Sequence, residues 1–123
     1  MLRDPRLTKL AETLVTYSVS MQPGENVMIS AQIKAKPLIL ELMKTIRRLG
    51  GNPIVELSDD EITRETALAT TEKALDRQYR WMDWKLDDVD CYIAIRAGDS
   101  DYVQADVPQE IKTAIAKKMN PIT

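Results

Sequence analysis

The sequence predicts an α/β domain in three layers, with a mostly parallel, Rossmann- or flavodoxin-like sheet of three or more strands flanked by helices. Short β-rich runs alternate with segments of helical periodicity, in the order helix, strand, helix, strand, helix, strand, helix. Strands separated by helices cannot pair through hairpins, so crossovers to a parallel sheet are expected. At 123 residues the chain has the length of one domain, residues 1–123.

The first helix is predicted to begin at Asp4 and Pro5, which suit the N-cap and the first helical position. Apolar and small side chains then recur at helical spacing and form one stripe. The stripe comprises Leu7, Leu10, Ala11, Leu14, Val15 and Ser18. Pro23-Gly24 predicts a turn, and residues 27–29 predict the centre of the first strand.

The second helix is predicted to begin near Pro37 and to end at Gly50-Gly51, which suits the left-handed stop of a helix. Residues 53–57 form the next β-rich run, with Pro53 at the first position of the strand, where proline is tolerated. A capping-box pattern from Ser58 to Glu61 predicts that a third helix opens directly after this strand.

The last third of the chain contains another helix, a strand and a final helix in this prediction. Residues 71–84 have helical periodicity, with Leu75, Tyr79 and Met82 on one side, and residues 91–95 form the third clear strand. An N-cap signature from Asp106 to Gln109 predicts a closing helix. Its buried face would carry Ile111, Ala114, Ile115 and Met119.

The residue types that are absent limit the chemistry of the chain. There is no histidine, and Cys91 is the only cysteine. Transition metals in proteins favour imidazole and thiolate ligands, and histidine is the commonest general base at neutral pH. We therefore expect no catalytic, cofactor-binding or metal-binding residue in these 123 positions.

Charge and hydropathy restrict the partners and the compartment. The net charge is −2 and the isoelectric point is near 5.2, so no basic field would attract nucleic acid or anionic lipid. The apolar runs are too short to span a bilayer, and the first residues lack the apolar core of a signal peptide. One cysteine provides no intrachain disulfide, so a cytoplasmic location is expected.

Three sets of residues are candidates for a site: the predicted strand ends, the acidic clusters and an aromatic cluster. The predicted strand ends lead into residues 30–32, 58–60 and 97–100, but none contains a glycine-rich phosphate motif. Acidic side chains cluster within residues 59–61, 87–90 and 99–101, where oxygen-only binding of Mg²⁺ competes with an ordinary role as caps and turns. We expect the ordinary role.

Trp81 and Trp84, with Tyr79 close by, form the aromatic cluster of the chain. Such a cluster marks either an interface or core filling beside the third strand, and we expect core filling. Cys91, at the start of that strand, is expected to be a small buried side chain, because no cation that would lower its pKa is evident nearby in sequence.

The N-terminal half resembles the opening of the thermophilic-type metalloaminopeptidases, the aminopeptidase T and aminopeptidase S family. The matching positions are Leu10-Ala11, Leu14-Val15, Tyr17-Ser18, Gln22-Pro23-Gly24-Glu25, Val27, Ile29, Ala35, Pro37-Leu38 and Gly50-Gly51-Asn52-Pro53. The later stretch agrees more loosely, over the strand at residues 91–95, Asp106-Val107-Pro108 and residues 117–121. The sequence departs from the family pattern at Ala31 and at residues 98–100.

This resemblance implies the N-terminal domain of an enzyme that removes N-terminal residues from peptides. Family members use two divalent metals, zinc or cobalt, bound by Glu, His and Asp residues of a C-terminal domain. They are homodimers whose active sites face an enclosed cavity. The resemblance therefore implies that this chain is scaffold and cavity wall, with its own C-terminal domain, a peptide substrate and a second copy as partners.

Two other functions remain open from the sequence. One is a free-standing α/β binding or assembly module, which would use the strand-end crevice or the Trp81 and Trp84 surface. The other is a nucleotide-binding domain, which the missing glycine-rich loop disfavours.

Overall fold

The computed structural model describes residues 4–96 and 113–119. In chain order the longer elements are helix α1 (Pro5–Thr13), strand β1 (Asn26–Gln32), helix α2 (Lys36–Arg48), strand β2 (Asn52–Ser58), helix α3 (Asp60–Ala69), helix α4 (Glu72–Asp87), strand β3 (Cys91–Arg96) and strand β4 (Thr113–Lys118). A π-helical turn, Leu14–Ser18, extends α1, and a 3₁₀ turn, Ile33–Ala35, precedes α2.

The strands form one sheet in the order β2-β1-β3-β4. Strand β1 is parallel to both β2 and β3, with Ile29 opposite Val55 on one side and Ile93 on the other. Strand β4 lies antiparallel to β3, with Ala116 opposite Ile93. The prediction of an α/β fold with a mostly parallel sheet flanked by helices is confirmed.

The helix predicted over residues 111–119 is wrong for the described part, because residues 113–118 form strand β4. Ala114 and Ala116 pack on the core while Ile115 between them is about half exposed, which is the two-residue alternation of a strand. A short apolar run fits both periods, and pairing with β3 decides between them. The N-cap predicted at Asp106 lies outside the described residues.

The main core lies between α1, α2 and one face of the sheet. Strand side chains on this face alternate with those of the other face, as in Val27, Ile29 and Ala31 of β1. The remaining buried members are Leu7, Ala11, Leu14, Val15, Val19, Met21, Ala35, Leu38, Ile39, Leu42, Ile46, Cys91, Ile93 and Ile95. The hydroxyl of Thr8 donates to Glu41 at 3.0 Å and joins α1 to α2 within this layer.

Helix starts follow the predicted local signals with one correction. The Asp4 carboxylate accepts from the backbone N–H of Arg6 at 2.9 Å and caps α1, as predicted. Helix α3 opens directly after β2, but its N-cap is Asp59, which accepts from the N–H groups of Glu61 and Ile62. The capping-box pattern from Ser58 therefore placed the cap one residue early, because Asp59 has the extended backbone that an N-cap needs.

The end of α2 depends on two glycines. Gly50 has φ +86°, a left-handed conformation that suits glycine after a helix, and its carbonyl accepts from Gly24 N–H at 2.8 Å. At Gly51 a Cβ atom would lie 2.3 Å from Met21 Sδ, so a side chain there would displace Met21 from the core. The predicted helix end is confirmed.

Helices α3 and α4 connect β2 to β3 and contribute no fully buried side chain. Helix α4 is tied to the sheet by an ion pair between Lys85 and Glu56, whose side chain belongs to the face opposite the main core. Among the described residues, no helix is long and apolar enough to cross a membrane.

Candidate functional site

A crevice of about 430 Å³ lies at the carboxyl ends of the three parallel strands. Its lining comes from β1, β2, β3 and the first turn of α3, and comprises Ser30, Ala31, Gln32, Ser58, Thr63, Tyr92, Ala94, Ile95 and Arg96. Strand β1 lies between β2 and β3. The chain passes from β1 to β2 on one side of β1, and β3 then pairs with β1 on its other side, so the strand order reverses at the carboxyl end of β1. This is the position where open α/β sheets bind ligands.

Several polar groups in this crevice have no partner among the described residues. The Gln32 amide nitrogen donates to Asp60 Oδ1 at 2.7 Å, which fixes the orientation of the amide, while its Oε1 is buried and accepts no hydrogen bond. Arg96 forms no ion pair within residues 4–96 and 113–119. A buried acceptor without a donor is uncommon in folded proteins and indicates a missing partner.

The acidic clusters within the described residues have structural roles. Asp59 caps α3, and Asp60 forms an ion pair with Lys34 at 3.3 Å. Asp90 accepts from the backbone N–H of Asn26 at 2.8 Å and so aligns β3 with β1. Across residues 4–96 and 113–119, no three Cys, Asp or Glu side chains come close enough to hold a metal ion. The cluster at residues 99–101 lies outside the described residues.

The aromatic cluster is exposed, so the prediction that it fills the core is wrong. Trp81 and Trp84 expose 60% and 71% of their surface, and Tyr79 and Met82 on the same helix expose 62% and 42%. Tyr79 and Met82 share one side of the helix and Trp81 and Trp84 share another, and we call these four exposed side chains together the aromatic surface of α4. Nothing in the described part of the chain covers it, because α1 and α2 pack on the opposite face of the sheet. Exposed apolar patches of this kind mark interaction sites.

Cys91 is fully buried, as predicted, but a cation does lie beside it. Lys118 Nζ lies 3.7 Å from the Cys91 sulfur and pairs with the Glu25 carboxylate, which is itself 3.7 Å from the sulfur. Burial raises the pKa of the Cys91 thiol to about 11, against the opposing effect of Lys118. A thiol with this pKa is not a nucleophile at neutral pH.

Sequence reasoning missed the lysine, the arginine and the glutamine that matter most in these two places. Lys118 was assigned to a helix, whereas β4 brings it beside Cys91 through antiparallel pairing. The available signal for Gln32 and Arg96 was their place at the ends of predicted strands, where polar side chains can bind a ligand without a glycine-rich motif.

Comparison with known proteins decides the family. The family model described as thermophilic metalloprotease (M29) matches residues 3–122. The chain belongs to this family. The resemblance that the sequence indicated, to thermophilic-type metalloaminopeptidases, is therefore confirmed.

Two curated aminopeptidases are similar to this chain. Aminopeptidase 2 of Geobacillus stearothermophilus is 26% identical over 116 residues, which are 90% of this chain and 28% of that protein. Aminopeptidase PepS of Streptococcus thermophilus is 28% identical over 110 residues, which are 85% of this chain and 27% of that protein. The chain thus spans under a third of the length of these relatives.

A solved structure has a similar fold. Wild-type AmpT from Thermus thermophilus has a TM-score of 0.58 and 23% sequence identity, over 79% of this chain and 25% of that one. At this identity the likeness shows a shared α/β fold.

The described residues provide no site that fits the metal that the family name implies. The sequence has no histidine. Its one cysteine, Cys91, is buried beside Lys118, and burial raises the pKa of the Cys91 thiol. The acidic side chains in the described ranges are spread over caps and turns. No catalytic step through a metal can be derived from these residues.

Proposed function

We propose that this chain is the N-terminal domain of a metal-dependent M29 aminopeptidase, acting as scaffold and cavity wall. The observation that carries the proposal is the family match over residues 3–122 in a chain without a histidine. An M29 peptidase needs metal ligands, and a chain without histidine is a poor source of them, which supports metal binding by other residues of the enzyme. The zinc or cobalt ions then belong to a C-terminal domain.

The aromatic surface of α4 supports a role in assembly. Two tryptophans, a tyrosine and a methionine are the side-chain types enriched at the centres of protein interfaces. We propose that this surface contacts the remainder of the enzyme, either the C-terminal domain or the second subunit of a homodimer. The intact enzyme would act on peptides in the cytoplasm, with no nucleic acid as partner.

A graft tests this proposal. The stretch of Aminopeptidase 2 of Geobacillus stearothermophilus that matches this chain is replaced by residues 3–122, and hydrolysis of a leucyl peptide is measured with added Zn²⁺ or Co²⁺. The hybrid should assemble and release leucine. A second hybrid, with Trp81→Gln and Trp84→Gln, should lose assembly, whereas one with Lys9→Gln at an exposed position of α1 should keep it.

A first hybrid that assembles yet releases no leucine would contradict the proposal. A soluble hybrid that never assembles would also contradict it, and would favour the separate binding or assembly module. Circular dichroism of each hybrid shows whether the grafted residues are folded, so misfolding is distinguished from lost function.

A further inference from the structure

The strand-end crevice has polar groups that the fold itself does not use. Within residues 4–96 and 113–119, the exposed Arg96 guanidinium at the end of β3 forms no ion pair, and the side-chain hydroxyls of Ser30 and Thr63 form no hydrogen bond. They line the same crevice as Gln32, whose Oε1 is unpaired. A fold can place one unused polar group at a strand end by chance, but a cation, an acceptor and two hydroxyls in one crevice indicate a ligand.

The size and place of the crevice suit a small molecule. About 430 Å³ lies within the usual range of small-ligand pockets. The walls are mixed: Ala94 provides apolar surface on the face opposite the main core, and the polar groups stand at the strand ends. Tyr92 adds a ring on the same face of the sheet as Ser30.

The chemistry of these groups selects the ligand. Guanidinium groups recognise carboxylates through paired hydrogen bonds, and a carbonyl oxygen such as Gln32 Oε1 needs an N–H donor. The carboxyl end of a peptide supplies both, a terminal carboxylate and an amide N–H a few bonds away. Inorganic phosphate has only a P–O–H donor and lacks an amide N–H at a fixed distance from its anionic oxygens.

We propose that the strand-end crevice binds the carboxyl-terminal end of a short peptide, with Arg96 holding the terminal carboxylate. Gln32 Oε1 accepts the last amide N–H of the bound peptide while the Gln32 amide nitrogen keeps its bond to Asp60, and Ser30 and Thr63 hydrogen-bond the remaining oxygens. The choice of a peptide rests on the proposed aminopeptidase function. In that setting the crevice would hold the tail of a short substrate or of a released product, and so favour short peptides over long ones.

Calorimetric titration of the 123-residue chain tests the assignment directly. The probes are the tripeptide Ala-Ala-Leu, the same peptide with a C-terminal amide, its N-acetylated form with a free carboxyl, and inorganic phosphate. We expect saturable binding of the free and N-acetylated peptides, and about tenfold or weaker binding of the amide, the size of one lost charge-assisted contact. Phosphate should bind at least as weakly as the amide.

Variants locate the binding. Arg96→Gln should weaken tripeptide binding about tenfold or more, and Arg77→Gln, an equal charge change on exposed α4, should leave it unchanged. Thr63→Leu changes an exposed helix position that lines the crevice without altering a strand, so it should also weaken binding while the chain stays folded. Thermal melts followed by circular dichroism check the fold of each variant.

Three results would overturn the assignment: no saturable binding of the free peptide, equal affinity for the amide or phosphate, or equal losses in Arg96→Gln and Arg77→Gln. These outcomes are independent of the graft experiment. An active hybrid combined with a chain that binds no peptide removes only the crevice assignment, whereas specific peptide binding with an inactive hybrid removes only the aminopeptidase function.

Discussion

The ammonium group of Lys118 lies 3.7 Å from the sulfur of Cys91, yet the pKa of that thiol is raised to about 11. A neighbouring cation ordinarily lowers the pKa of a thiol. Here burial opposes the thiolate more strongly than Lys118 favours it, and the Glu25 carboxylate, paired with Lys118, adds a further opposing charge. The cluster therefore joins β4 to the start of β1 and does not activate the cysteine.

The first prediction concerns the reactivity of Cys91. With a pKa of about 11, about one thiol in a thousand is ionised at pH 8, and the sulfur is fully buried. Folded protein should react with a disulfide reagent such as DTNB at least a hundredfold more slowly than the same protein in denaturing urea. The folded state has both a smaller fraction of thiolate and less access of the reagent to the sulfur. Equal rates in the two states would show an exposed, activated thiol.

The second prediction concerns the ion pair itself. Lys118→Met removes the partner of a Glu25 carboxylate that is about four-fifths buried, and should lower the free energy of unfolding by about 1–2 kcal/mol. Lys117→Met is the matched control, because that neighbouring side chain on β4 is exposed and should cost under about 0.5 kcal/mol. Urea unfolding of both variants measures the difference, and equal effects would mean that the pair contributes nothing.

The third prediction is the pH dependence of that contribution. Burial alone would raise the pKa of Glu25, but the hydrogen bonds from Lys118 and from the Gln22 N–H, together with the charge of Lys118, outweigh it, so the net pKa is lowered. A lowered carboxyl pKa stabilises the fold above its unfolded value of about 4.3 and loses that effect as pH falls through the folded value. The stability gap between wild type and Glu25→Gln should therefore be constant from about pH 6 to 9 and shrink below about pH 4.5.

At alkaline pH the stability contribution of the same ion pair is lost as pH rises, because Lys118 then loses its proton. Burial would lower the pKa of Lys118, but the hydrogen bond that Lys118 donates to Glu25 and the interactions with the Cys91 and Glu25 charges together outweigh it, so the net pKa is raised. Its contribution is complete below about pH 10.4 and falls only above that value. A gap that instead widened on acidification would contradict the assigned pairing.

The fourth prediction concerns the aromatic surface of α4. Because Trp81 and Trp84 are mostly exposed, the double change to Gln should alter the free energy of unfolding by under about 0.5 kcal/mol. The same change should reduce concentration-dependent association of the isolated chain in size-exclusion chromatography. A loss above about 2 kcal/mol would instead place these side chains in a packed core.

Local signals were sufficient for the first half of the fold. The start of α1 at Asp4 and Pro5 and the end of α2 at Gly50 and Gly51 depend on backbone geometry that those residue types strongly favour. Their prediction therefore needed no tertiary information. The run at residues 113–118 was different, because its apolar residues fit a helix and a strand equally, and only pairing with β3 selects the strand.

The site was less predictable than the fold. The exposure of Trp81 depends on what packs against α4, and composition does not give that. The strand-end crevice joins Gln32 of β1 to Arg96 of β3, residues 64 positions apart that parallel pairing of the two strands brings to one edge of the sheet. The general position of such a site follows from the topology of the sheet. Which ligand it suits depends on which side chains line it, and that is seen only in the folded structure.

The most direct measurement for the whole account is aminopeptidase turnover by the 123-residue chain alone, with Zn²⁺ and Co²⁺ each titrated against a leucyl chromogenic substrate. We expect no release above the metal-only blank, and no tightly bound metal after dialysis, because the donor set is wrong for both ions. Metal-dependent release that follows the chain through purification would contradict the account, since the catalytic ligands would then lie within these residues.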